Sequence, residues 1–123
     1  MKAIIAGGRD FDHFDYMVEV LNFVDLPITE VVSGKQVSRE KDTGKKFGAD
    51  YLGEKWASLR RITVREFPAD WRTHGRSAGP LRNQEMADYA DFLIAFWDGQ
   101  SRGTKSMIDE VIKRKKPYLV FFY

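Results

Sequence analysis

The sequence predicts an α/β fold, a Rossmann-like three-layer sandwich around a five-stranded and mainly parallel sheet. Short apolar or β-branched runs alternate along the chain with segments of helical periodicity. Parallel neighbours need crossover connections, so this alternation places helices on both faces of one sheet. A length of 123 residues with 43% hydrophobic and 14% aromatic side chains fits a single domain with its own core.

The first half of the chain contains three predicted strands and two predicted helices. The run KAIIA (2–6) predicts a buried strand that ends in a Gly7-Gly8 turn. ITEVV (28–32) and ITVREF (62–67) are rich in β-branched residues and predict the second and third strands. Between the strands, apolar residues at steps of three and four predict two helices, with these positions facing inward: Phe14, Met17, Val18, Leu21 and Val24 in the first, Leu52, Trp56 and Leu59 in the second.

The second half contains two more predicted strands. DFLIAFW (91–97) is the longest apolar run and predicts a central strand covered on both faces, and PYLVFFY (117–123) predicts the last strand. The polar segments 35–47 and 69–80 are predicted to be loops at the surface. Two further helices are predicted with these inward positions: Leu81, Met86 and Tyr89 in LRNQEMADYA, and Met107, Ile108, Val111 and Ile112 in TKSMIDEVIKRKK.

The composition excludes several classes of function. The absence of cysteine rules out disulfide scaffolds, thiolate nucleophiles and cysteine-ligated zinc. A net charge of +2 gives a weak long-range field, which does not by itself favour nucleic acid. No apolar run approaches the roughly 20 residues that span a bilayer, and the first residues lack the features of a signal peptide. We therefore expect a cytoplasmic protein with no membrane partner.

The loops that follow the predicted strands share a composition that favours an anionic ligand. In open parallel sheets, ligands bind beyond the carboxyl ends of the strands. Glycine there lets backbone N–H groups approach a ligand, and the helix that follows adds a partial positive charge. No cofactor or metal ion is expected from these loops. The predicted ligand-binding residues are Gly7, Gly8, Arg9, Asp10, Ser33, Gly34, Arg82, Asn83, Gly99, Ser101, Arg102, Gly103 and Thr104.

Five segments carry a resemblance to a known superfamily. They are IIAGGRDF, VVSG, GADYLGEKWA, FPADWRTHGRSAGPLRNQEMADYAD and LIAFWDGQSRGTKSMID. Together they resemble the YspA-type members of the SLOG superfamily, which is named for the Smf/DprA and Lonely Guy proteins. The resemblance covers almost the whole chain. It implies a compact Rossmann-like domain that binds nucleotides or nucleotide derivatives.

A comparison with the Lonely Guy branch concerns catalysis. Those enzymes hydrolyse the N-glycosidic bond of nucleoside 5′-monophosphates with an arginine and a glutamate, and RNQEM is similar to their arginine motif through Arg82 and Glu85. Met107 stands where the second motif of that branch has its glutamate. Methionine cannot stabilise positive charge on a ribose. Asp98, Asp10 or Glu85 could supply a carboxylate instead, which makes Arg82, Asp98 and Glu85 the predicted catalytic residues.

Three functions remain open from the sequence. The first is binding of AMP, ADP-ribose or a related phosphoribosyl compound, with hydrolysis of an N-glycosidic bond as a further step. The second is a sensor or sponge that binds such a nucleotide without turnover. The third is a single-stranded nucleic-acid module of DprA type, with Trp71 for stacking and these cations: Lys35, Arg39, Lys45 and Lys46. The near-neutral charge disfavours the third, and a homo-oligomer is compatible with the sequence.

Overall fold

The α/β architecture predicted from the sequence is confirmed in the computed structural model, which describes all residues from Met1 to Tyr123. Its strands are β1 (Lys2–Gly7), β2 (Glu30–Ser33), β3 (Ser38–Arg39), β4 (Lys46–Phe47), β5 (Thr63–Glu66), β6 (Phe92–Trp97) and β7 (Tyr118–Phe122). Its α-helices are α1 (Phe14–Val24), α2 (Ala49–Leu59), α3 (Trp71–His74), α4 (Ala78–Tyr89) and α5 (Arg102–Lys113), with one 3-10 turn at Gly75–Ser77.

Five strands form the main sheet in the order β5-β2-β1-β6-β7, and every neighbouring pair is parallel. The chain runs outward from β1 through β2 to β5, and then crosses back to β6 on the other side of β1. The strand order therefore reverses between β1 and β6. Open α/β sheets bind their ligands at the carboxyl ends of the strands at such a reversal. The central strand is β1 rather than the predicted β6, although β6 is buried along most of its length.

Two hydrophobic clusters fill the space on either side of the sheet. Successive side chains of a strand point to opposite faces, so neighbouring residues of β1 enter different clusters. Ile5 packs with α1 and α2, whereas Ile4 packs with α4 and α5. Trp56 is buried in the first cluster, and Met86 and Met107 are buried in the second. This arrangement is the predicted three-layer sandwich.

Three predicted inward positions lie at the surface instead. Leu59, Leu81 and Ile112 are 67%, 37% and 46% exposed. The buried residues of α4 are Ala78, Gly79, Asn83, Met86 and Ala87, which leave Leu81 on the opposite side. The spacing of large apolar residues misassigned Leu81 because none of these buried residues except Met86 has a large apolar side chain. Tyr89 is half-buried.

The polar segment 35–47 is more ordered than a loop prediction implies. Strands β3 and β4 pair antiparallel as a small hairpin, with Ser38 opposite Phe47. The Ser38 hydroxyl donates to the Arg9 carbonyl oxygen at 2.8 Å, and the Gly48 N–H donates to the Phe11 carbonyl oxygen at 2.9 Å. The hairpin is therefore fixed against the turn that follows β1. Segment 69–80, also predicted to be a loop, contains α3, the 3-10 turn and the start of α4.

None of the helices has both the length and the apolar character that crossing a membrane requires.

Candidate functional site

A cavity of about 410 Å³ opens at the carboxyl ends of the strands where the strand order reverses. Its size lies within the range of small-molecule sites. Three of its lining residues are apolar, namely Ala6, Met86 and Met107, and most of the others are charged, hydroxylic or glycine. The remaining lining residues are Gly7, Gly8, Arg9, Asp10, Gly34, Gln36, Asp50, Arg82, Asn83, Asp98, Ser101, Arg102, Gly103 and Thr104.

Most residues predicted from the strand-end loops thus line one cavity, and three do not. Ser33 is fully buried beside it, where its hydroxyl donates to Glu54 Oε2 at 2.6 Å. Gly99 lies in the turn before α5 with a positive φ of 83°. Glu85 is exposed on α4 and is absent from the cavity wall. The predicted catalytic role of Glu85 therefore has no support in the geometry.

Arg82 connects two walls of the cavity. Proline at position 80 and glycine at 79 open α4, and the helix then carries the guanidinium group across to the end of β2. Its Nη1 donates to the Gly34 carbonyl oxygen, and its Nε donates to Asn83 Oδ1 at 3.1 Å. The side chain is partly buried, and desolvation lowers the pKa of Arg82 from its ordinary value. Arginine nevertheless stays protonated in proteins, so it presents a fixed positive charge.

The start of α5 forms a second wall with free hydrogen-bond donors. Ser101 caps the helix: its Oγ accepts from the Thr104 N–H at 3.4 Å and from the Thr104 hydroxyl at 3.1 Å. The N–H groups of Arg102 and Gly103 have no partner within the chain. Unpaired N–H groups at a helix start, together with the helix dipole, favour an anion. Asn83 fixes this wall from α4, since its Nδ2 donates to Ser106 Oγ at 3.2 Å.

Asp98 and Asp10 both accept hydrogen bonds from other groups of the protein. Asp98 Oδ1 accepts the N–H groups of Gln100 and Ser101, each at 2.8 Å. The Ser101 N–H, and after it the Gln100 N–H, lower the pKa of Asp98 below its usual value. Asp10 Oδ1 accepts the hydroxyl of Tyr123 at 2.5 Å. Burial, reinforced by Asp10, raises the pKa of Tyr123. Asp98 therefore stabilises the turn in which it stands, whereas Asp10 ties the turn after β1 to the last residue of the chain.

Asp50 is the charged residue of the cavity wall that the sequence analysis missed. It lies in the first turn of α2, is only 8% exposed, and lines the cavity. Its Oδ2 accepts the Gln36 N–H at 3.1 Å. Burial raises the pKa of Asp50 to about 6, although the Gln36 N–H and the charges of Arg82 and Arg9 oppose that rise. No salt bridge joins Asp50 to Arg82.

The residues predicted for nucleic-acid binding do not line the cavity, and neither does Trp97 at the end of β6. Trp71 is 47% exposed and contacts Gly79, and Trp97 donates from Nε1 to the Ser101 carbonyl oxygen at 3.0 Å. Lys35 forms salt bridges with Glu54 and Glu66 at 3.0 and 3.3 Å, and Lys45 forms one with Asp12 at 3.4 Å. Two of the four cations predicted for nucleic acid are thus paired with carboxylates. No three His, Asp or Glu side chains are grouped so that they could hold a metal ion.

Comparisons with known proteins give one relative. The chain is 39% identical over 80 residues to the Gene 61 protein of Mycobacterium phage D29. The match covers 60% of this chain and 64% of the phage protein. No family model matches the chain. No solved structure matches it.

Proposed function

We propose that the cavity binds a nucleotide or nucleotide derivative, such as AMP, ADP-ribose or a related phosphoribosyl compound. The observation that carries this proposal is the pair of unpartnered N–H groups of Arg102 and Gly103, two residues that line a cavity at the reversal of strand order. A phosphate group fits such donors because they need no reorganisation to receive it. The resemblance to the SLOG superfamily supports the same class of ligand.

The charges around the cavity are consistent with a phosphate monoester or diester. Arg9, Arg82 and Arg102 line it, and Arg82 is held in place by Gly34 and Asn83. Guanidinium groups bind phosphate through charge-assisted hydrogen bonds that contribute roughly 1.5 to 3 kcal/mol each. Two of the three aspartates at the cavity already accept hydrogen bonds from their own loops or from Tyr123. They therefore oppose an anion less than free carboxylates would.

Binding without turnover is favoured over hydrolysis by two observations. Met107, which takes the position of the glutamate of the Lonely Guy branch, is 2% exposed and contributes only apolar surface to the cavity. Asp98, predicted to replace that glutamate, has Oδ1 committed to two backbone N–H groups. Incubation with AMP and chromatographic detection of free adenine separates a binder from a phosphoribohydrolase.

The binding proposal is tested by titration calorimetry with AMP and ADP-ribose. We expect the wild-type protein to bind these ligands. Arg82→Ala should lower the affinity at least about tenfold, because the variant loses one charged hydrogen bond to the phosphate. Arg76→Ala is the matched control, since Arg76 is exposed in the 3-10 turn before α4 and should leave affinity unchanged. Absence of any binding at millimolar concentrations of both ligands would refute the proposal.

A further inference from the structure

Asp50 has an unused acceptor at the cavity. An ionised carboxylate offers about four lone-pair positions, and buried polar groups normally fill theirs. Asp50 uses one, through Oδ2 and the Gln36 N–H. Its Oδ1 has no hydrogen-bond partner within the chain and is not fully enclosed, since the fully enclosed side-chain atom without a partner is Trp56 Nε1. Asp50 lines the cavity, so a bound ligand is the partner that Oδ1 can take.

The position of Asp50 is maintained at a cost to the folded protein. Taking a carboxylate from water into an 8% exposed position is unfavourable unless partners compensate, and here no salt bridge does so. Gly34 makes the placement possible: a Cβ at position 34 would lie 2.9 Å from both Asp50 Oδ2 and Arg82 Nη1. The absent side chain leaves both polar groups open to the same space. A bound hydroxyl donor would supply the missing hydrogen bonds.

The two ends of the cavity have opposite hydrogen-bonding character. The α5 end presents the N–H groups of Arg102 and Gly103, which are donors, and the Asp50 end presents carboxylate oxygen, which accepts. The donor end follows β6, whereas Asp50 lies at the start of α2, which is bound to the loop after β1 by the Ala49 N–H on the Gly8 carbonyl oxygen and to the loop after β2 by the Gln36 N–H. A separation of one to two strand spacings amounts to about 5 to 10 Å. A ribose phosphate has an anion at one end and two neighbouring hydroxyl groups near the other, and it covers this span when a hydrogen bond is added at each end.

We propose that Asp50 binds the vicinal hydroxyl groups of a ribose, so that the cavity selects ribonucleotides over deoxyribonucleotides. The inference rests on the proposed nucleotide binding and adds the part of the ligand that is recognised. A carboxylate is suited to this task because it accepts from a hydroxyl group and repels a second anion. In dinucleotide-binding folds an acidic residue binds the ribose hydroxyl in the same chemical way.

The test compares AMP, 2′-deoxy-AMP and 3′-deoxy-AMP by titration calorimetry at pH 8. Asp50 is ionised there, since its pKa is about 6. We expect wild-type protein to bind at least one deoxy analogue roughly 10- to 100-fold more weakly than AMP, the effect of losing a hydrogen bond to a charged group. In Asp50→Asn the difference between AMP and that analogue should fall below about threefold.

The control for the loss of charge is Asp42→Asn, because Asp42 is exposed in the hairpin turn and should keep the full discrimination. The wild-type comparison needs no variant, so it remains decisive if Asp50→Asn does not fold. Equal affinity of wild type for all three nucleotides would overturn the assignment of Asp50 and leave nucleotide binding intact. No binding of AMP at millimolar concentration would overturn both proposals. Full discrimination by Asp50→Asn would show that another group recognises the ribose.

Discussion

The two sides of the cavity are built from similar loops and differ in how the protein uses them. On the β1 side, a Cβ at Gly7 would lie 2.2 Å from the Phe96 carbonyl oxygen, which belongs to the backbone of the neighbouring strand. On the α5 side, a Cβ at Gly103 would meet no atom within 4 Å. The glycine on the β1 side is required by the packing of the protein itself. Gly103 leaves space that a ligand can occupy. Glycines that look alike in the sequence, each in a loop after a strand, are thus present for different physical reasons.

The hydrogen bonds follow the same division. Around the β1 side, the Tyr123 hydroxyl satisfies Asp10 and the Ser38 hydroxyl satisfies the Arg9 carbonyl oxygen. Around the α5 side, the N–H groups of Arg102 and Gly103 remain unpaired. A ligand gains most where the protein has not already paired its own groups. The comparison therefore favours the α5 side for the proposed phosphate, and it predicts that substitutions on the β1 side cost more stability than substitutions on the α5 side.

The largest expected effect is the destabilisation caused by Gly7→Ala. A Cβ at position 7 would lie 2.2 Å from the Phe96 carbonyl oxygen and 2.9 Å from Ala49 Cβ, so backbone would have to move. We expect the free energy of unfolding to fall by about 3 kcal/mol or more, the upper range for an overpacked site. Urea denaturation followed by tryptophan fluorescence measures it. Gly103→Ala is the matched control and should change stability by less than about 1 kcal/mol. Similar losses for both variants would contradict the division into two sides.

The next effect is the pH dependence that Asp50 imposes on stability. Burial raises the pKa of Asp50 to about 6 in the folded protein from 3.8, so the folded state binds this proton more tightly than the unfolded state. The resulting stability is fully present below about pH 4 and is lost as the pH rises through 6. Arg82, Arg9 and Glu54 are the charged groups that act on this carboxyl group.

Asp50→Asn removes this titration and leaves the other groups in place. The stability of wild type relative to Asp50→Asn should therefore fall by about 2 to 3 kcal/mol between pH 4 and pH 8. Urea denaturation of both proteins across that range measures the difference, and Asp42→Asn should follow the wild-type curve. Parallel curves for wild type and Asp50→Asn would show that the carboxyl group is not buried as described.

Much of the fold was predictable from the sequence because its elements follow simple periodicities. β1 and β6 are continuous apolar runs, and α1 places Met17 and Leu21 inward at a four-residue step. The hairpin of β3 and β4 was not predicted, since its two-residue strands carry mostly polar side chains with no apolar alternation. What orders it is contact with the turn after β1, which is tertiary information.

The site residues that lie in strand-end loops were predictable from the sequence. The residue that helix α2 contributes, Asp50, was not predicted. Asp50 belongs to a helix whose inward positions were assigned from its large apolar residues. Its buried face also contains Gly53 and Ala57, at steps of three and seven from Asp50. Small residues on one face indicate close packing against the sheet, and an acid in line with them indicates a buried carboxylate. Glu85 was favoured because RNQEM is similar to a known motif, whereas in the structure Glu85 is exposed on α4 and does not line the cavity.

The smallest expected effect concerns the cap of α5. The Ser101 hydroxyl accepts from the Thr104 N–H, and Ser101→Ala removes that partner from a helix start that faces solvent and the cavity. Water can replace a cap at a wet helix start, so we expect a loss of about 1 kcal/mol in the free energy of unfolding rather than the larger loss of a buried site. Ser58→Ala is the control, because Ser58 is exposed near the end of α2 and should change stability by less than about 0.5 kcal/mol. A loss at Ser101 of the size expected for Gly7→Ala would mean that the α5 side is as closely packed as the β1 side, and the space assigned there to phosphate would not exist.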